Sequence, residues 1–349
     1  MLPNILVLLL SFMFAGNALA QEPTPSWNIA VLYWSMNIEG QVAMRKGLEA
    51  EAEKYNKSHS KKIKITPYVA GDGKEGIRNQ VQQFKTAIQS NPDAIIIQPT
   101  DNAALSGPLK VANRKKIPVI AYDQYIVDGK LRSFITSNNY QAGELNAEYI
   151  MSFYKRTDTI KIVVFEYPKV SSTTDRVEGF FDTLRKAEQN FLVLKTYEAV
   201  EPVGGKKAAL EFLKDFPVKG SVDVIFSVND GGGLAVVSEL LSAERTEIKQ
   251  ATVDGDPASV QNVVNKKITV IDSAQFCGEI GRQSFLVTAD VLNGKKVPAK
   301  VLVPTFPITE KTAGKYPGWS GEIPNAFRKP WAKDNKWWMG RVQKSGGLL

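Results

Sequence analysis

Short, continuously apolar runs alternate along this chain with longer segments whose apolar residues recur every three or four positions. Asn28 to Trp34 (NIAVLYW), Lys62 to Ala70, Asp93 to Gln98 (DAIIIQ) and Ile117 to Asp123 (IPVIAYD) read as strands. Met44, Leu48, Ala52 and Tyr55 share one helical face of Gln41 to Lys57, and Ile77, Val81, Phe84 and Ile88 share another. Thr100-Asp101 reads as the start of the next helix. The rhythm repeats in the second half. Strands are expected at Lys161 to Glu166, Phe191 to Glu198, Asp223 to Val228, Ala251 to Asp254 and Thr269 to Asp272. Helices are expected to start near Tyr140, Asp175, Gly205, Gly231, Pro257 and Gly278. Continuous apolar strands alternating with helices predict parallel sheets covered on both faces, hence an α/β fold of two doubly wound lobes.

Two segments stand outside this pattern. Residues 1–20 (MLPNILVLLLSFMFAGNALA) hold a short apolar core followed by the small residues Ala18 and Ala20, which predicts a secretory signal cleaved before Gln21. The apolar run falls short of the roughly 20 residues that span a bilayer. An exported, periplasmic protein is therefore expected. From Glu310 onward the strand–helix rhythm stops, and Trp319, Trp331, Trp337 and Trp338 appear among eight basic and three acidic side chains. This tail reads either as a strap packed across a lobe or hinge, or as a surface that docks a partner or an anionic membrane.

Composition narrows the chemistry. The 349 residues include one Cys and one His, which excludes intrachain disulfides and Cys-based zinc sites and leaves His-rich metal sites and Ser-His-Asp catalysis almost nothing to work with. His59 reads as a solvated loop residue and Cys277 as a small packing residue. The net charge of +8 invites a nucleic-acid reading. Five of those eight charges belong to the tail, however, and the lobes are close to balanced. Gly71-Asp72-Gly73-Lys74-Glu75-Gly76 matches G-x-G-x-x-G but sits at the second strand–helix turn rather than the first, so no nucleotide cofactor is expected. Gly231-Gly232-Gly233 reads as tight helix packing. No catalytic motif and no metal site is apparent, and no enzyme activity is expected.

Polar residues instead collect where strands end. Tyr33, Trp34 and Asn37 follow the first strand, Asp123 and Gln124 end IPVIAYDQ, and Arg176 opens a helix in STTDRVEGF. Asn229 and Asp230 end VIFSVND, Asp254 ends ATVDGD, and Gln275 lies in VIDSAQ. In doubly wound folds ligands bind outside the carboxyl ends of the strands. Two facing lobes would enclose carboxylates, a guanidinium, amides and aromatics, a set that suits a polyhydroxylated ligand such as a sugar. Each residue also has a structural reading: Asp123, Asn229, Asp230 and Asp254 are placed to cap helices, and Arg176 to form a salt bridge.

These stretches, with SNNYQAGELNAEYI (137–150), the Arg-x-x-Gly-Phe of Arg176 to Phe180 and VDGDP (253–257), resemble the type 1 periplasmic sugar-binding proteins, the ribose- and galactose-binding group, over about 28–308. The resemblance implies two lobes joined by a three-strand hinge near 134–138, 273–277 and 302–306. The lobes would be 27–136 plus 276–304 and 137–275 plus 305–314, followed by an extension, 315–349. It implies ligand contacts from Asp123, Arg176, Asn229, Asp254 and Gln275. It also implies a monomer that closes on a sugar-like ligand and delivers it to an inner-membrane ABC permease. The alternative partner is a membrane sensor, either a histidine kinase or a chemoreceptor. Repressors share this fold, but the signal segment occupies the place of their DNA-binding helices, so no nucleic-acid partner is expected. The sequence departs from ribose binders at Gln124, where they carry Arg, and at Glu39-Gly40-Gln41, where they carry paired Phe. Gln41 stays a candidate contact. Tyr33 or Trp34 could replace the lost stacking surface, though strand alternation lets only one face the cleft. The aromatic expected near Glu198 to Gly204 is also missing, and the resemblance does not extend to ribose as the ligand.

Overall fold

A computed structural model describes residues 26–332 and 336–346. The signal segment expected at 1–20, and Lys333 and Asp334 of the tail, lie outside the described residues. No described helix is long and apolar enough to cross a membrane.

The first lobe is built on β1 (Ser26–Tyr33), α1 (Glu39–Ser58), β2 (Lys62–Val69), α2 (Gly73–Gln89), β3 (Ala94–Ile97), α3 (Ser106–Arg114), β4 (Val119–Tyr122) and β5 (Ser133–Ser137). The second runs α4 (Asn139–Met151), β6 (Ile160–Glu166), α5 (Ser171–Lys186), β7 (Phe191–Glu198), α6 (Pro202–Asp215), β8 (Val224–Ser227), α7 (Asp230–Ser242), β9 (Lys249–Asp254), α8 (Pro257–Val264) and β10 (Thr269–Ala274). The chain then returns through α9 (Cys277–Leu292) and β11 (Lys300–Val303) to the first lobe, and through β12 (Phe306–Thr309) to the second. After β13 (Phe327–Arg328) and β14 (Trp337–Trp338), which pair with each other, comes β15 (Gln343–Ser345); the first sheet orders β15-β11-β5-β4-β3-β1-β2 and the second β12-β10-β9-β8-β6-β7. Both contain the same parallel doubly wound core, with its switch point between the first and third strands of the lobe.

Strand alternation explains the uninterrupted apolar runs. Ile29, Val31 and Tyr33 join the core on one side of the first sheet, while Ala30 and Leu32 join the core on the other. In the second lobe Ile162 and Val164 face one core and Val163 and Phe165 the opposite one. Both faces are covered by helices, so every position along these strands must be apolar.

Several elements differ from the sequence pattern. The third helix starts at Ser106, not at Thr100-Asp101. Asp101 Oδ1 instead accepts from the amides of Ala103 and Ala104 at 2.8 Å, spending its capping chemistry on a turn before the helix. α5 begins at Ser171, four residues ahead of Asp175. β5, β11 and β12 are too short and too mixed to announce themselves as strands. The sheets are not wholly parallel either: β12 pairs antiparallel with β10, and β15 antiparallel with β11.

Three crossings join the lobes, at 138, 275–276 and 304–305. The segment after 315 packs across them. Trp338 is fully buried, its Nε1 donates to the Thr305 carbonyl at 2.7 Å, and its ring meets Phe306 and Phe327 with centroids 5.1 and 5.2 Å away. Lys329 is buried against Glu148 of α4, and β15 extends the first sheet. The strap reading therefore describes these tail residues. Two of the aromatic and basic groups that would serve a docking surface, Trp338 and Lys329, are spent inside the fold.

Candidate functional site

Helix packing sets the site's framework. α1 crosses α9, and α4 crosses α5, at glycines. A Cβ on Gly281 would sit 1.9 Å from the Met44 carbonyl oxygen, and one on Gly179 would sit 2.1 Å from that of Tyr140. Only hydrogen fits there, which accounts for the glycine three residues after Arg176. The close crossing holds the N-terminal half of α5, and with it Arg176 in its second turn, over the carboxyl ends of β8 and β9.

The lobes meet across the cleft. Gly73 N donates to Glu201 Oε1 at 2.9 Å, Asn102 N to the Lys169 carbonyl at 2.8 Å, Tyr125 N to Ser171 Oγ at 2.9 Å and Ser172 N to Gln124 Oε1 at 3.1 Å. They enclose a small polar cavity of about 20 Å³, lined by Trp34, Ile38, Gly40, Gln41, Met44, Asp123, Gln124, Val170, Ser172, Thr173, Arg176, Val200, Asn229, Asp254 and Gln275. That volume holds about one water, so a larger ligand enters only if the lobes part.

Arg176 is 2% exposed. Its Nε donates to Asn139 Oδ1 at 2.9 Å and its Nη1 to the Val228 carbonyl at 2.6 Å, with Asp254 Oδ1 at 3.1 Å. Gln275 Nε2 donates to the same Asp254 oxygen at 2.6 Å, while Gln275 Oε1 accepts from Ser137 Oγ at 2.7 Å. Asn229 both caps and lines the cavity: its Oδ1 accepts from Gly232 N at 3.2 Å and its Nδ2 donates to the Val200 carbonyl at 2.9 Å. The capping and cleft readings of Asn229 are thus compatible.

The two central carboxylates are held differently. Asp123 Oδ2 accepts from Gln98 Nε2 at 2.9 Å, but its Oδ1 is buried without a partner. Both residues adopt positive φ, +64° at Asp123 and +134° at Asp254, which costs a non-glycine residue of order 1–3 kcal/mol. The backbone is thereby bent to aim each carboxylate into the cleft. Burial pushes both pKa values up: Asp123 rises against the opposing pull of Gln98 and Arg176. Asp254 is pushed up to about 7, with Arg176 opposing the shift and Asp123 adding to it. Behind them Asp230 and Asp272 form a buried acid pair. Burial, reinforced by Asp272, raises Asp230, and burial raises Asp272. Asp230 accepts from Thr252 Oγ1 and Asp256 N, both at 2.8 Å, and is a scaffold for the β9 turn.

The cavity gathers Asp123, Arg176, Asn229, Asp254, Gln275, Trp34, Gln124 and Gln41. Tyr33 and Asn37 are not among them. Tyr33 points to the opposite face of β1, is fully buried, and donates its hydroxyl to Glu49 Oε1 at 3.1 Å under the Arg45 guanidinium. Alternation gave the cleft to Trp34, which packs against Tyr167, Val170 and Val200 of the other lobe. Asn37 lies outside the small cavity, exposed, with its Nδ2 on Asp72 Oδ2 at 2.6 Å. Gln41 is engaged as well, accepting from Ser35 N at 2.8 Å. Sequence reasoning missed Gln98 and Asn139, which orient Asp123 and Arg176. Gln98 ends the DAIIIQ strand and carried the same strand-end signal as the residues that were chosen.

Comparisons with known proteins bear on the fold and the family. The ribose import binding protein of Bacillus subtilis is 26% identical over 274 residues, covering 77% of this chain and 83% of that protein. The ribose import binding protein of Escherichia coli K12 is 26% identical over 295 residues, covering 83% of this chain and 92% of that one. A solved ABC transporter solute-binding protein from Agrobacterium vitis, with bound allitol, superposes with a TM-score of 0.73 at 24% identity, covering 84% of this chain and 98% of that one. The family model described as "Periplasmic binding protein domain" matches residues 29–296, and the chain belongs to that family.

Proposed function

We propose that this protein is an exported, periplasmic solute-binding protein that captures a small polyhydroxylated, sugar-like ligand between its lobes and delivers it to an ABC importer. The observation that carries this reading is Asp123 Oδ1, a buried carboxylate oxygen without a partner, on a residue that is 4% exposed and lines the interlobe cavity. Such an atom costs about 1–3 kcal/mol or more unless a donor reaches it. A ligand hydroxyl is the donor that fits. Asp254 and Arg176 offer a second carboxylate and a guanidinium, whose mutual pairing can be exchanged for hydroxyl contacts. Trp34 supplies an apolar wall. Closure follows if the ligand binds the closed form better than the open one, since only differential affinity shifts that equilibrium. Relatives named for ribose import and an allitol-bound neighbour support the ligand class and the transport role.

A thermal-shift panel of pentoses, hexoses and polyols tests the reading. A cognate ligand at 100 times its Kd should add about 2.7 kcal/mol of stability. Asp123→Asn should abolish most of the shift. A ligand that binds equally well to this variant would place the site elsewhere.

A further inference from the structure

The polar cavity is not the whole of the interlobe space. Beside it lies a second compartment of about 360 Å³, which shares Ile38, Gly40 and Asp254 with the first. It is the roomier of the two, within the range of about 300–1,000 Å³ common for small-molecule sites. Its lining takes Trp319 from the C-terminal segment and Leu234 and Ala235 from α7. Asn37, Glu39, Asp230 and Asp256 add polar groups, and Asn37 and Glu39 are exposed.

Trp319 is fixed in place rather than free on the surface. Its Nε1 donates to the Asp254 carbonyl at 2.7 Å, and its own carbonyl accepts from Gly278 N at 2.9 Å. One bond reaches the second lobe and the other the first. Gly40 lines both compartments, and its Cβ position would lie in ordinary contact with Trp319 Cζ2 at 3.8 Å and Cys277 Sγ at 3.4 Å. An anchored indole in one lining with aliphatic side chains, an amide and carboxylates has the chemistry of a sugar-ring site. The ring's CH face packs on the aromatic, and its hydroxyls bond the polar rim.

We infer that the second compartment is a subsite for a further ring, so that the ligand is a disaccharide or glycoside with one ring against Trp319 and the other between Asp123 and Arg176, where the lobes must stand further apart than in this structure to admit it. This inference rests on the sugar-binding reading above and extends it to ligand size.

Calorimetric titration of the full chain tests it, with D-glucose, D-galactose and D-xylose against maltose, cellobiose, lactose, melibiose and xylobiose. Two variants accompany the wild type. Trp319→Leu removes the platform. Ala235→Trp fills the compartment from α7 without touching the first cavity. At least one disaccharide should bind tenfold or more tighter than its component monosaccharides. Ala235→Trp should remove that gain while leaving monosaccharide affinity within twofold, and Trp319→Leu should also remove it. Three results overturn the inference while leaving sugar binding intact: a monosaccharide that binds while every disaccharide fails or gains nothing, a disaccharide gain that survives Ala235→Trp, or one that survives Trp319→Leu. Failure of every sugar, small or large, would overturn the functional reading and this one with it.

Discussion

Replacing Arg176 with methionine should destabilise the protein in a way that depends on pH, because Arg176 is the cation closest to the buried Asp254 carboxyl. The two are 3.1 Å apart, and Arg176 is 2% exposed. In the native protein burial lifts Asp254 from 3.8 to about 7 despite the guanidinium. A carboxyl raised on folding contributes stability that is full below 3.8 and is lost as pH climbs through its folded pKa. Removing Arg176 takes away the stronger of the two groups that oppose this rise, the other being Gln275, so the folded pKa of Asp254 moves further up. Below about 7 both forms keep the proton, and the variant should lose only hydrogen bonds, about 1–3 kcal/mol. Above that the wild-type carboxyl ionises beside its cation while the variant's keeps a proton that it releases only on unfolding, and the difference should widen by up to 1.36 kcal/mol per pH unit. From pH 7 to pH 9 this adds up to about 2.7 kcal/mol. The total then approaches the roughly 3–5 kcal/mol expected for breaking a buried pair. Urea unfolding followed by tryptophan fluorescence at pH 6, 7, 8 and 9 measures it. The double variant Arg176→Met/Asp254→Asn should lose most of the widening, the remainder belonging to Asp123, which Arg176 also holds down. A constant cost across this range, or widening undiminished in the double variant, would refute the assignment of the effect to Asp254.

Three further outcomes follow from the packing. Asp123→Ala should weaken binding of the cognate ligand by about 1–3 kcal/mol, read by titration calorimetry, while the circular dichroism spectrum stays native. Trp338→Ala removes a fully buried indole and its bond to Thr305 at the third crossing, and should cost about 3–5 kcal/mol in thermal melts. Gly281→Ala drives a methyl into the Met44 carbonyl and should cost about 1–3 kcal/mol or more, whereas Gly204→Ala, with open space around its Cβ position, should not lower stability.

Much of the site was legible because its residues sit where strands stop. A continuous apolar run ending in a polar side chain is a one-dimensional signal. It picked out Asp123, Asn229, Asp254 and Gln275 as candidates, a helix start added Arg176, and the fold brings the five together in one cavity. The same signal applied to Gln98, yet its role became visible only when its amide was seen on Asp123. Tyr33 and Trp34 were indistinguishable by type. The register of β1 between its neighbours decided which of them faces the cleft. The tail was harder still. Its composition suits either a docking surface or a strap, because burial depends on partners far away in sequence: Trp338 meets Thr305, Trp319 meets Asp254, and Lys329 meets Glu148.

By itself the sequence determined the alternation of strands and helices, the two doubly wound lobes and the polar groups at their strand ends. Those properties follow from local periodicity, which each segment carries on its own. Only the tertiary structure decided that Asp123 keeps an unpartnered oxygen in the cleft, that Tyr33 turns away, and that a tryptophan from the C-terminal segment walls a second compartment beside the first. Each of these is a matter of which atoms from distant segments come within hydrogen-bonding or packing distance, and no window along the chain contains that information.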